Sequence, residues 1–239
     1  MNVRGSLCAL PVVWSCMSTF PVTASTLPVP SSSYPTIQSA IDAAQAGDEV
    51  VVSPATYNEA IDFLGKAITL RSSDGSTVTT IDGTGFGSSV VKCINGEGPD
   101  TVLDGFTITG GTGTWSFSFI RGGGLYVLRA NPTVRNCVFI GNSAETGGGI
   151  HVAVGSINVS DCTFIAIHAS FTDGAGMSFE LSDGTVRDCL FERNTAGGGA
   201  AISFFDSSPA IVGCTFLENE ATDGGAVCNE RGGHPVFQD

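Results

Sequence analysis

His151 has the residue type and the setting for proton transfer. It lies between Ile150 and Val152 in an alternating apolar segment, so its side chain is expected to point outward, in register with Tyr126 and Ser178. An imidazole changes its charge near neutral pH and can serve as an acid or a base. No serine nearby carries the local signature of an activated nucleophile. The pattern therefore favours an exposed surface histidine over a catalytic one.

Charged side chains recur just before one repeated position of the chain. The acids are Asp104, Asp161 and Asp188, and the bases are Arg135 and Arg187. Paired carboxylates can act as general acid and base on a sugar bond when their separation is fixed. No pair here has a spacing peculiar to catalysis. We interpret these residues as solvated charges at recurring turns and strand ends.

Aromatic side chains alternate within residues 112–121, where Trp115, Phe117 and Phe119 are separated by single serines. As a strand, this segment would present one apolar face and one polar face. It could be a flap that packs against the rest of the fold. It could instead be a platform for sugars, because flat rings match the apolar faces of pyranoses.

A glycine-rich block repeats through the second half of the chain at nearly constant steps of roughly 25 residues. Each of the first four blocks is followed, at one constant offset, by a cysteine and then by a phenylalanine two positions further on. Such a period is typical of a solenoid, whose repeats bury their apolar faces against each other. The blocks begin at Gly122, Gly147, Gly174, Gly199 and Gly224.

Strand-like alternation after each block predicts an all-β parallel β-helix of roughly seven coils, with about 25 residues per coil. Equivalent residues would then stack about 4.8 Å apart. That spacing exceeds the Cβ separation of about 3.5 to 4.5 Å in a disulfide, so we expect buried thiols in the cysteine column. No CxxC pair or nearby histidine suggests zinc. We place the recurring asparagines in left-handed turns. The three predicted columns are Cys137, Cys162, Cys189 and Cys214; Phe139, Phe164, Phe191 and Phe216; and Asn142, Asn194 and Asn219.

The segments Phe139–Ala144, Phe191–Ala196 and Phe216–Ala221, which alternate with the glycine blocks, carry a family resemblance. They resemble the FxxN and GGA[IVL] repeats of polymorphic outer-membrane proteins and, more broadly, the pectate-lyase-like right-handed parallel β-helix. Residues 36–44 and 47–54 are similar to the amino-terminal pattern of pectinesterase-type β-helices. The resemblance implies a right-handed, single-stranded parallel β-helix. It transfers no catalytic residue, because this superfamily includes lyases, hydrolases, esterases and adhesins.

The composition is acidic, with 23 Asp and Glu residues, 10 Lys and Arg residues and a net charge of −13. This charge argues against nucleic acid or an anionic membrane surface as a partner. Residues 1–24 have the features of a secretory signal, which predicts a secreted or cell-surface protein without direct membrane insertion. Its cleavage would remove Arg4 and no acid, leaving 9 − 23 = −14. Residues 25–35, rich in Ser and Pro, are predicted to be a linker.

The β-helix domain is predicted to span residues 36–239. It would begin with a short capping helix from Thr36, with Ile37, Ala40, Ile41 and Ala44 on one face, that ends at Gly47. Strands are expected at 49–53, 67–70, 78–81 and 90–94. Residues 234–239 align with residues 131–136, which indicates a chain cut within a coil. An uncapped end predicts end-to-end self-association.

The function most consistent with these features is a noncatalytic surface or adhesin-like module that binds a polysaccharide or a cell-surface glycan. The insertion at 112–121 and the bulge at 168–173 would wall a shallow cleft. No cofactor is expected for such a module, and a neutral glycan suits its acidity better than a polyanion. The candidate ligand-binding residues are Trp115, Phe117, Phe119, Arg121, Tyr126, Glu145, His151 and His168.

Two alternatives stay open. One is a polysaccharide lyase or hydrolase of the pectate-lyase-like superfamily with its catalytic coils partly missing, and only this alternative would involve Ca²⁺. The other is a passenger segment of a surface-anchored protein. The downstream sequence would separate them, because a carboxylate-lined groove would favour the enzyme and an anchor would favour the passenger.

Overall fold

The computed structural model describes residues 24–171 and 174–239. The predicted signal segment lies outside the described residues except for Ala24. Almost every element is a short parallel strand, and equivalent strands of successive coils pair in register. The largest sheet has nine strands, which corresponds to about eight turns. The chain is thus a parallel β-solenoid, as predicted, with one turn more than expected.

Three long sheets and one short sheet run along the solenoid. The nine-stranded sheet contains Thr26–Val29, Glu49–Val52, Thr69–Ser72, Val102–Asp104, Thr133–Arg135, Ser156–Ser160, Asp183–Arg187, Ala210–Val212 and Val236–Gln238. The glycine sheet, named for the blocks that precede its strands, contains Ile61–Asp62, Val91–Cys93, Leu125–Leu128, Ile150–Ala153, Met177–Glu180, Ile202–Phe205 and Val227–Glu230. The phenylalanine sheet contains Ala55–Asn58, Thr79–Asp82, Thr107–Thr109, Val138–Ile140, Thr163–Ile165, Leu190–Glu192 and Thr215–Leu217. The short sheet contains Ser143–Ala144, His168–Ala169, Thr195–Gly198 and Glu220–Asp223.

The linker prediction for residues 25–35 is wrong at Thr26–Val29. This segment forms a strand that pairs in parallel with Glu49–Val52. Leu27 and Val29 alternate with exposed residues, and both are buried in the core. Their burial favours strand pairing over a solvated linker, although Pro28 lies between them and Pro30 follows them.

The capping helix spans Ile37–Ala43, one turn shorter than the pattern predicted. Thr36 and Ser39 form a reciprocal capping box, in which each side chain accepts a hydrogen bond from the backbone N–H of the other residue, at 3.1 and 3.2 Å. Ile37 and Ile41 are fully buried. The helix contacts Thr26–Val29, Glu49–Val52 and Ile61–Asp62, at the amino-terminal end of two sheets. It therefore occupies the capping position that was predicted.

The phenylalanine column forms a continuous stack inside the solenoid. Successive rings are nearly parallel, with centroids 5.0, 4.6 and 5.3 Å apart. Glycine at position 124 permits this packing, because a Cβ there would lie 2.6 Å from the Phe139 ring and 2.7 Å from a carbonyl oxygen of the next coil. The glycine blocks therefore let adjacent coils and the aromatic stack approach each other closely.

The cysteine column confirms the prediction of thiols. Cys137, Cys162 and Cys189 are buried, Cys214 is half-buried, and all four are unbridged. The Sγ of Cys162 donates to the carbonyl of Ser160 at 3.1 Å, and the same contact recurs in the other coils.

The asparagine prediction is wrong about the backbone. The left-handed residue of each turn is the one before the asparagine: Gly141, Arg193 and Glu218 have φ of 63°, 52° and 50°. The asparagine side chains point inward instead and bond the backbone. Asn194 accepts from the N–H of Ile167 at 3.1 Å and donates to the carbonyl of Phe164 at 3.0 Å. The asparagines thus satisfy buried polar groups where the chain turns.

Among residues 24–171 and 174–239, no helix has the length and the hydropathy that spanning a membrane would require.

Candidate functional site

The aromatic insertion forms a hairpin and not the single strand that was predicted. Thr114–Ser116 pairs in antiparallel fashion with Phe119–Arg121, and the two turn residues, Phe117 and Ser118, have left-handed φ. The alternation of apolar and polar side chains between two faces therefore stops at this turn. Trp115 and Phe117 are 69% and 66% exposed near the tip, whereas Arg121 at the base is buried.

The hairpin is anchored to the coil beneath it. The phenol of Tyr126 donates to Ser116 Oγ at 2.8 Å, and the backbone N–H of Ile120 donates to Glu145 Oε2 at 2.7 Å. The backbone N–H groups of Glu145 and Thr146 both donate to the carbonyl of Ile120. The hairpin thus covers part of the outer face of the glycine sheet.

This cover changes the environment of His151, and the prediction of an exposed surface histidine is wrong. The side chain points away from the solenoid core as expected, yet only 1% of the residue is exposed. The Tyr126 ring lies beside it, with centroids 5.9 Å apart. An outward register position therefore does not ensure exposure when an insertion folds over the sheet.

Hydrogen bonds select the neutral form and the tautomer of His151. Its Nε2 lies 3.1 Å from Arg121 Nη1, which can only donate, and its Nδ1 lies 3.1 Å from Thr146 Oγ1. The ring therefore accepts at Nε2 and donates its Nδ1–H to Thr146. Burial lowers the pKa of His151 below its usual value, in agreement with a neutral ring.

Arg121 also forms an ion pair with Glu180 through the same Nη1 nitrogen. The Glu180 carboxylate lies 3.5 Å from His151 Nε2 and is about one third exposed. The Arg121 charge and its hydrogen bond to Oε2 lower the pKa of Glu180, although partial burial opposes this effect. Glu180 is therefore ionised throughout the neutral range.

These three residues border a cleft of about 240 Å³ between the hairpin and the outer face of the glycine sheet. Its phenyl rings come from three separate parts of the chain, and those of Phe119 and Phe171 meet edge to face at 5.5 Å. The cleft is lined by Phe119, Arg121, Thr146, His151, Phe171, Ser178, Glu180, Phe205 and Glu230.

Of the predicted site residues, the structure brings Phe119, Arg121 and His151 together in the cleft. Tyr126 and Glu145 support the hairpin, and the exposed Trp115 and Phe117 lie outside the lining. His168 is exposed on the short sheet, where its Nδ1 lies 3.0 Å from Thr195 Oγ1. The predicted walls, the insertion and the bulge after His168, do meet through Phe119 and Phe171.

Sequence reasoning missed one column of the site. Glu180, Phe205 and Glu230 occupy equivalent positions on adjacent strands of the glycine sheet. Each of these residues holds the second outward-facing position after a glycine block. The sequence-based prediction used only the first outward-facing position, which His151 and Ser178 hold. The period itself could have identified this column.

The other charged candidates lie away from this cleft, and Arg187 lines a separate open depression with Thr133 and Asn158. Arg135, Asp161, Arg187 and Asp188 are exposed, and Arg135 Nε bonds Asp104 Oδ2 at 2.9 Å. Asp161 and Asp188 have left-handed φ of 53° and 51°, which places them in turns as predicted. No cluster of three or more His, Cys, Asp or Glu side chains in the described part of the chain could hold a metal ion.

Solved structures similar to this chain include pectin methylesterases. One, in complex with hexasaccharide VII, has 16% sequence identity and a TM-score of 0.50, over 83% of this chain and 67% of its own. The pectin methylesterase from Aspergillus niger, in penultimately deglycosylated form, has 14% identity and a TM-score of 0.46, over 92% of this chain and 87% of its own. At these identities the similarity shows the fold alone. No curated protein sequence matches the chain significantly.

The sequence model of the right-handed β-helix region matches residues 67–238, which is most of the chain. The matched segment contains every strand from Thr69 onward, the hairpin and all residues that line the cleft. The chain therefore belongs to the right-handed β-helix family.

Proposed function

We propose that this protein is a noncatalytic glycan-binding module of a secreted or cell-surface protein, and that the cleft beside Arg121 is its binding site. The observation that carries the proposal is the combination of three phenyl rings with a fixed ionic group in one open cleft. Sugar-binding sites need flat apolar surface for a pyranose ring and a few fixed polar groups for its hydroxyls.

Rigidity supports a binding role. Arg121 is fixed by His151 and Glu180, and both partners lie on strands that pair on each side within the glycine sheet. A ligand would therefore meet groups that are already ordered, which reduces the entropy lost on binding. A β-helical neighbour solved with a hexasaccharide is compatible with this proposal.

The state of Glu180 favours binding over catalysis. A carboxyl group whose pKa is lowered by an ion pair is deprotonated at neutral pH and is a weak base, so it is poorly suited to general acid–base work. His151 offers no accessible proton, because it is buried and its Nδ1–H is directed at Thr146. The enzyme alternative, a polysaccharide lyase or hydrolase, would have to place its chemistry elsewhere.

A glycan array followed by calorimetry with the oligosaccharides retained tests the proposal. Phe171→Ala removes a ring of the cleft, and we expect at least tenfold weaker binding, which equals about 1.4 kcal/mol. Trp115→Ala is the matched control, because this exposed ring lies outside the cleft. It should leave affinity within about twofold. Absence of glycan binding, or equal losses in both variants, would overturn the proposal.

The enzyme alternative has its own assay. The same polysaccharides are incubated with the protein, with and without Ca²⁺, and new reducing ends or unsaturated products are measured. Turnover that exceeds the uncatalysed rate would favour the enzyme over the binding module.

A further inference from the structure

His151 accepts a hydrogen bond from the hairpin, and a proton on its ring would remove that bond. Its Nε2 lies 3.1 Å from Nη1 of Arg121, which can only donate. Its Nδ1 already carries a hydrogen, which is directed at Thr146 Oγ1 3.1 Å away. An added proton must therefore go to Nε2. It would break the hydrogen bond with Arg121 and place a second positive charge beside the guanidinium.

Glu180 offers the protonated ring another partner. Its Oε2 lies 3.5 Å from Nε2 of His151 and also pairs with Arg121. Since His151 and Arg121 are both buried, neither charge could be compensated by water. Protonated His151 would therefore compete with Arg121 for this carboxylate. Arg121 is the last residue of the hairpin strand Phe119–Arg121, so the loss of its partner would release this end of the hairpin.

Among the described residues, no other carboxylate forms an ion pair with the ring. The residues in register on the two adjacent strands are Tyr126 and Ser178, whose side chains are neutral. Lys92 follows one strand beyond Tyr126 and adds positive charge. Glu145 already accepts a hydrogen bond from the hairpin backbone at 2.7 Å, and Glu230 lies three strands away from the ring. One carboxylate therefore serves both cations.

The closed hairpin disfavours protonation of His151. Burial and the Arg121 charge oppose it, in agreement with the lowered pKa of His151. When the hairpin is open, the ring is hydrated and Glu180 remains beside it, so the ring gains a proton at least as readily as a free histidine. The open state then binds more protons, and its share rises as the pH falls below about 6.5, the ordinary value for histidine. We propose that His151 is a proton sensor, which opens the hairpin in acid by displacing Arg121 from Glu180.

Opening would dismantle the cleft. Phe119 and Arg121 belong to the hairpin and line the cleft, whereas Glu180 belongs to the solenoid beneath it. Departure of the hairpin strand would separate the two walls and would end the contact of Phe119 with Phe171. The cleft would thus be intact at neutral pH and open in acid. This movement depends on the protein alone, whether or not the cleft binds a glycan.

Amide hydrogen exchange on the intact chain, from about pH 7.5 to about pH 5, measures this opening. The reporters are the backbone N–H groups of Ile120, Gly122 and Thr146, which form hydrogen bonds at the base of the hairpin. After correction for intrinsic exchange, their protection should fall by up to about tenfold per pH unit below about pH 6.5, because opening takes up one proton. The N–H of Val138, bonded to the carbonyl of Phe106 at 2.8 Å in the phenylalanine sheet, should keep its protection.

Two histidine variants separate the sensor from other titrating groups. His151→Gln keeps an acceptor for Arg121 but cannot gain a proton in this range, so protection of its hairpin should not change with pH. His168→Gln removes an exposed histidine of the short sheet and should behave like the wild type. Hairpin protection that is independent of pH in the wild type, or that falls equally in His151→Gln, would overturn the proposal.

A direct titration decides the question even if His151→Gln fails to fold. The NMR signals of the His151 ring in the wild type report its protonation as the pH is lowered. We expect protonation to accompany the loss of hairpin protection. A ring that becomes protonated while the hairpin amides stay protected would equally overturn the proposal, because the ring would then titrate without moving Arg121.

Discussion

Arg121 and Glu180 lie 59 residues apart in the chain and form an ion pair on the outer face of the glycine sheet. Arg121 ends the hairpin, and Glu180 ends a strand two coils further along. The pair joins the insertion to the regular solenoid and fixes one wall of the cleft. It therefore links the stability of the hairpin to the ionisation of a single carboxyl group.

This link predicts a pH dependence. The ion pair with Arg121 lowers the pKa of Glu180 below its ordinary value of 4.5 in the folded protein. Its contribution to stability should be complete above about pH 4.5 and should decline as the pH falls below that value, because the unfolded chain takes up the proton first. Urea unfolding of the wild type and Glu180→Gln should show a difference in unfolding free energy that is constant near neutral pH and shrinks over this window. A difference that does not change with pH would contradict the assignment.

The aromatic stack predicts a large cost for Phe164→Ala. This ring is fully buried between those of Phe139 and Phe191. Its removal leaves a cavity in the stack, and we expect a loss of about 3 to 5 kcal/mol in unfolding free energy. The control is Thr163→Ala on the outer face of the same strand, which should cost under about 0.5 kcal/mol. Similar losses in denaturant melts would refute the interior position of the column.

The asparagine column predicts a polar cost of its own. Asn194→Ala would leave the buried N–H of Ile167 and the carbonyl of Phe164 without these partners. Because each unsatisfied buried group costs about 1 to 3 kcal/mol, the variant should lose at least about 2 kcal/mol. Asn158→Ala, at an exposed strand position, is the matched control. If both variants melt at the same denaturant concentration, the inward role of Asn194 is wrong.

The burial of Cys162 predicts slow chemistry of its thiol in the folded state. Burial raises the pKa of Cys162 and disfavours its reactive thiolate. In the native protein, alkylation at this position should be limited by unfolding, whereas the unreduced, unfolded protein should show free thiols at Cys137, Cys162, Cys189 and Cys214. Mass spectrometry after alkylation with and without denaturant measures both. Disulfide-linked peptides from this column would contradict the structure.

The repeat alone determined the fold, the register and the interior columns. Glycine, cysteine and phenylalanine recur at constant offsets within a regular period, and this pattern allows only stacked coils, in which equal positions must superimpose. Each coil buries its apolar residues against the next, so local sequence and tertiary packing agree. Thr26–Val29 was the exception, because its partner strand, Glu49–Val52, follows only after the capping helix and because its proline-rich composition is typical of a linker.

The site was decided by tertiary structure, because it forms where the repeat is broken. Alternation placed His151 outward, but the register of the solenoid cannot show that the inserted segment folds into a hairpin and buries that face. The contacts of Arg121 with His151 and Glu180 depend on the path of that insertion, and no period encodes it. Sequence therefore specifies the regular scaffold through repeated local burial. Only the folded chain determines which outward residues the irregular segments enclose, since enclosure depends on contacts between residues that are 30 to 59 positions apart.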